Sequence, residues 1–101
     1  MSTPDTRIFE YIRRRKSGKV AKVGVIVGMN VDGVIRIGWS KCNFKKGDKF
    51  NSAEGLKIAQ DRVHEIGNVP HTPNCIRRQV RQFGARAVRY FQSAYTLELP
   101  A

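Results

Sequence analysis

Between residues 23 and 39 apolar side chains recur at almost every second position, interrupted once by Asp32-Gly33. Alternation at this period places side chains on the two faces of a strand. Asp-Gly is a two-residue turn pair, because a tight hairpin turn needs positive φ at both positions. The stretch therefore predicts a β-hairpin over residues 20–40. The turn also sets its register: Val31 opposite Val34, Asn30 opposite Ile35, Gly28 opposite Ile37 and Ile26 opposite Trp39. One face then carries Ile26, Ile35, Ile37 and Trp39, and the other carries Val23, Val25, Val27, Met29, Val31 and Val34. With both faces largely apolar, cover is expected on both.

The rest of the chain reads mostly at the helical period. Thr3-Pro4 has the form of an N-cap followed by proline, and Ile8, Phe9, Tyr11 and Ile12 cluster on one side of a helix that runs to Ser17-Gly18. Asn51 and Glu54 are spaced as a capping box ahead of Leu56, Ala59, Val63 and Ile66. Thr72-Pro73 opens the longest helix, residues 73–92, with the stripe Ile76, Val80, Phe83, Ala87 and Phe91. In the tail, Tyr95, Leu97 and Leu99 alternate with Thr96 and Glu98, a strand pattern that either joins the hairpin or reaches a second copy in a homodimer. The expectation is one α+β domain, residues 1–101, in the order α-β-β-α-α-β: a hairpin or three-stranded antiparallel sheet packed with three helices.

Charge changes this picture most. The chain of 101 residues has 19 Lys+Arg against 8 Asp+Glu, a net charge of +11. Such a chain attracts polyanions. No apolar leader opens it and no apolar run could span a bilayer, which points to a cytoplasmic protein with no membrane partner.

The long helix concentrates the cations. Arg77, Arg78, Arg81, Arg86 and Arg89 lie on it with no acid between them. At about 100° per residue, Arg77, Arg78, Arg81 and Arg89 share one arc of roughly 120° beside the apolar stripe, and Arg86 lies further round. Guanidinium forks match phosphate oxygens, so this arc is a candidate phosphate surface. A second cluster comprises Arg13, Arg14, Arg15, Lys16, Lys19 and Lys22; it reads either as a phosphate-contacting arm or as a charge set at a helix end. A third surrounds Lys45 and Lys46, where Phe44 and Phe50 interleave with lysines; Phe at such positions more often plugs a core than stacks a base.

Cys42, Cys75, His64 and His71 lack the closely spaced ligand pairs of structural zinc sites, so neither metal nor disulfide is expected. No nucleophile has a recognisable base, and no cofactor motif is present; the chain reads as a non-catalytic protein.

The segment VIRIGWSKCNFKKGDKFNSAEGLKIAQDRV resembles a pattern in small, mostly uncharacterised proteins of tailed bacteriophages. There, an IGWS-C strand end leads to a KGD-F turn, a helix with G-x-x-IA-x-x-R, and later a basic helix ending near YF. Here these are Ile37 to Ser40 with Cys42, Lys46 to Asp48 with Phe50, Gly55 with Ile58, Ala59 and Arg62, and Tyr90-Phe91. The resemblance implies a phage accessory protein in a bacterial cytoplasm and brings no activity or site with it. The leading expectation is a phosphate-contacting nucleic-acid binder, DNA or RNA, led by Arg77, Arg78, Arg81 and Arg89. Two alternatives stand beside it: an inhibitor or modulator docking on an acidic host protein, and a sponge for an anionic nucleotide.

Overall fold

The computed structural model describes residues 7–16, 18–42, 51–64, 71–91 and 96–100, with no side-chain description for Lys16. The elements run β1 (Arg7–Lys16), β2 (Lys19–Val31), β3 (Val34–Lys41), α1 (Ser52–His64), α2 (Asn74–Tyr90) and β4 (Thr96–Glu98). Among the described residues they make a small α+β domain with one four-stranded mixed sheet and two helices. The strand order is β1-β2-β3-β4, antiparallel for the first two pairings and parallel for β3 with β4.

The β2–β3 hairpin has the predicted register, from Val31↔Val34 to Ile26↔Trp39. Asp32 at φ 53° and Gly33 at φ 87° form the turn, and Gly33 N donates to Asn30 Oδ1 at 2.9 Å. Both faces are covered. α2 brings Ile76, Val80, Phe83, Ala87 and Phe91 onto Ile26, Ile35, Ile37 and Trp39. α1 places Ala59 and Val63 on Val25 and Val27. Its approach is close at Gly38, where a Cβ would stand 2.1 Å from the Ala59 carbonyl oxygen. Asn51 caps α1 by accepting the Glu54 amide at 3.1 Å.

Four expectations need correction. The residues read as a first helix form β1 instead, so the described elements run β-β-β-α-α-β, with two helices among them rather than three. Ile8, Phe9, Tyr11 and Ile12 satisfy a helical face and a two-faced strand alike, and β2, with its long unpaired edge, provides the pairing that decides. Lys16 pairs with Lys19 across a two-residue turn that includes Gly18 at φ 78°; Ser-Gly is a turn dipeptide as well as a helix stop. The proposed Thr3-Pro4 cap lies outside the described residues.

Val23 is also displaced. The β1–β2 register steps from Ile12↔Gly24 to Arg13↔Lys22, leaving Val23 as the extra residue of a β-bulge. Past the bulge the alternation is offset, so Val23 joins the α2-side cluster rather than Val25 and Val27.

The tail strand pairs within the chain but parallel to β3, after a connection that contains α1 and α2. Finally, α2 starts at Asn74 with Pro73 as its N-cap and no side-chain cap, so Thr72 does not cap it.

Candidate nucleic-acid interface

At the bulge the β1–β2 ribbon leaves the core. Residues 13–16 and 19–22 continue the pairing, and Arg13, Arg14, Arg15, Lys19, Val20, Ala21 and Lys22 are all exposed. The sequence of this arm, residues 13–22, contains six cations and no acid. Strand alternation puts Arg13, Arg15 and Lys22 on one face, with Arg14 and Lys19 on the other. Two like-charge pairs stand directly opposite on the ladder, Arg13↔Lys22 and Lys16↔Lys19. Directly opposed like charges destabilise an antiparallel pair. The second basic cluster of the sequence is therefore a protruding β-ribbon, not the end of a helix.

α2 presents its arginines outward. Its buried stripe faces the sheet, and Arg77, Arg78, Arg81 and Arg89 are exposed. Among the described residues Arg78, Arg81 and Arg89 have no ion-pair partner, whereas Arg86 turns to the β1 flank and meets Glu10 at 3.4 Å. Gln79, next to it in space, donates to Glu10 Oε2 at 3.0 Å and to the Tyr11 carbonyl oxygen at 3.2 Å, fastening α2 to β1.

Three arginines of the arc, Arg77, Arg78 and Arg81, border two hollows. An open one of about 520 Å³ at the β1 flank is bordered by Glu10, Tyr11, Arg13, Arg78 and Gln79, so arm and helix share one surface there. A smaller one of about 260 Å³ is bordered by Thr72, Arg77, Arg81, Leu99 and Pro100. In it, Arg77 Nε donates to the Thr72 carbonyl oxygen at 3.2 Å, and the buried Thr72 hydroxyl has no hydrogen-bond partner among the described residues.

Lys45 and Lys46 lie outside the described residues. Cys42 is half-buried and Cys75 exposed, and the two are not joined in a disulfide. No group of three metal-ligating side chains is assembled among the described residues. None of their helices is long and apolar enough to cross a membrane.

Sequence reasoning passed over Phe9 and Tyr11 as surface groups because it placed both on a helix's buried side. The signal that identifies them is Arg7-x-Phe9-x-Tyr11-x-Arg13, a period-two row on a strand face. Compared with known family models, curated proteins and solved structures, the chain has no match.

Proposed function

We propose that this protein is a small, non-catalytic, phage-type accessory protein that binds nucleic acid mainly through phosphate contacts. The observation that carries the reading is the arm: six cations on a protruding ribbon, two like-charged pairs face to face, and no acid within it. Such a ribbon carries self-repulsion that a polyanion relieves. A two-stranded ribbon is also narrow enough to track a backbone or enter a groove. Arg78 extends the same basic surface onto α2 through the hollow it shares with Arg13. The phage setting and bacterial cytoplasm rest on the sequence resemblance.

The test is anisotropy titration of a labelled oligonucleotide across a salt series, for the parent and for the triple variant Arg13→Gln, Arg14→Gln, Arg15→Gln. Backbone binding gives a linear fall of log affinity with log salt. The triple variant is expected to flatten that slope by about 3 for duplex, near 0.9 for each lost phosphate contact. Absence of binding at low salt, or a slope unchanged by the variant, overturns the reading. An acidic host protein would then become the leading partner.

One observation favours the nucleotide-sponge alternative: Arg77, Arg81 and the Thr72 hydroxyl, which has no partner among the described residues, border a single hollow. A free mononucleotide that raises the melting temperature in the parent, and not in Arg81→Gln, would support it.

A further inference from the structure

We infer that the open face of β1 is a stacking platform for unpaired bases, with Phe9 as its first contact, so that the preferred ligand is single-stranded nucleic acid. The inference rests on the nucleic-acid reading above and specifies the substrate class. Strand alternation sends Ile8 and Ile12 toward α2, along with Glu10, which Gln79 and Arg86 hold there. Arg7, Phe9, Tyr11 and Arg13 therefore line the opposite face, which receives no acid from this strand.

On that side α1 lies over β2 and β3. The β2 neighbours Val25 and Val27, which pair with Tyr11 and Phe9, are fully buried under it. Tyr11 leans on the rim of that cluster, whereas Phe9 belongs to neither core cluster and is 41% exposed. The result is an aromatic shelf beside the helix, continuous with the basic arm.

Cations surround the shelf. Lys22 Nζ stands 4.1 Å from the Tyr11 ring centroid, Arg13 lies 5.9 Å from the same ring, and Arg7 lies 5.9 Å from Phe9. The two rings meet edge to face at 5.7 Å. With Lys22 close over Tyr11, Phe9 has the more open ring. A base stacked there would bring its flanking phosphates toward Arg13 and Lys22.

This combination selects the occupant. A purely apolar shelf would suit a protein partner, but this one is fringed by cations and runs into an arm with no acids. Phosphate contact alone would need no exposed aromatic ring. Duplex buries the faces of its bases and offers a protruding ring nothing to stack on, whereas a single strand presents both base faces and phosphates.

The experiment compares a labelled thymidine 15-mer with a duplex of the same length, for the parent, Phe9→Leu and Phe9→Trp, with melting temperatures as a folding control. Leucine keeps apolar contact but has no π face. Expected are tighter parent binding to the single strand, a loss of roughly tenfold for Phe9→Leu on that strand, no change on duplex, and recovery in Phe9→Trp. If the parent binds but Phe9→Leu leaves single-strand affinity unchanged, the platform is overturned and the phosphate reading stands. If the parent binds neither probe, both fail. Light scattering that shows a dimer dissociated by Phe9→Leu would assign the shelf to a second copy and overturn the inference.

Discussion

The two halves of the β1–β2 ribbon share one hydrogen-bonded ladder and differ in everything attached to it. In the inner half, Ile8, Ile12, Ile26 and Gly28 meet α2, and Val25 and Val27 meet α1. In the outer half the ladder continues past the bulge with cations on both faces and, among the described residues, no helix above or below. The inner half is held by apolar burial, at about 25 cal/mol for each Å² removed from water. The outer half has almost no such contribution and carries like-charge repulsion. The contrast separates two parts of one pair of strands: one end builds the fold and the other projects from it.

That separation can be broken most severely from the inner side. Phe83 is fully buried, and its ring lies against Gly28, where a Cβ would come within 3.0 Å of Phe83 Cε1. Phe83→Ala is expected to cost about 3–5 kcal/mol, the range for large aromatic truncations, read as a shift of the urea midpoint. A cost under about 1 kcal/mol would mean that α2 is dispensable to the inner half.

Gly38→Ala tests the opposite face. The added methyl would collide with backbone at the Ala59 carbonyl oxygen, so α1 must lift from the sheet. The expected loss is about 1–3 kcal/mol, as for an overpacked core, with hydrogen exchange accelerated in α1 before α2.

Ser40→Ala is milder. The buried Ser40 hydroxyl donates to the Gly55 carbonyl oxygen at 2.8 Å, and its removal deletes this link between β3 and α1. About 1 kcal/mol is expected, measured by thermal melting.

The smallest effect on stability belongs to the arm. Arg13→Gln, Arg14→Gln, Arg15→Gln should alter folding free energy by no more than about 0.5 kcal/mol, and in the stabilising direction, because it relieves the Arg13↔Lys22 repulsion. A clear loss of stability would show that the arm belongs to the folding unit and would erase the contrast between the halves.

Trp39 shows how packing can depend on groups far apart in sequence. It is 6% exposed within the α2-side cluster, as its register with Ile26 implies. Yet Arg62 of α1 also reaches it, donating to its carbonyl oxygen at 2.8 Å with the guanidinium carbon 4.7 Å from the ring centroid. β4 pairs only with residues 34–36, so at this end the edge of β3 away from β2 has no strand neighbour among the described residues. Arg62 occupies that position. Strand alternation foretells the burial of Trp39 but not the arginine that comes round from the opposite face.

By itself the sequence determined the features whose causes are local. Asp32-Gly33 dictates a turn through its backbone conformation, and the hairpin register follows by counting outward from it. The α2 stripe repeats often enough that only a helix can gather it on one side, and all five of its residues are buried. The basic surface of α2 follows from the same periodicity. Tertiary structure decided the features whose causes are distant. Residues 7–16 fit a helix or a strand equally well, and the exposed edge of β2 settled the matter by offering a ladder of hydrogen bonds. The bulge at Val23 moved one valine across the sheet, which no pattern count registers. β4, reached by a connection that contains two helices, runs parallel to β3, a direction that its own alternation does not encode. The aromatic shelf came into being the same way: Phe9 is a surface residue only because its segment pairs as an edge strand and α1 lies over the neighbouring strands, a choice made by partners that its own sequence neighbourhood does not contain.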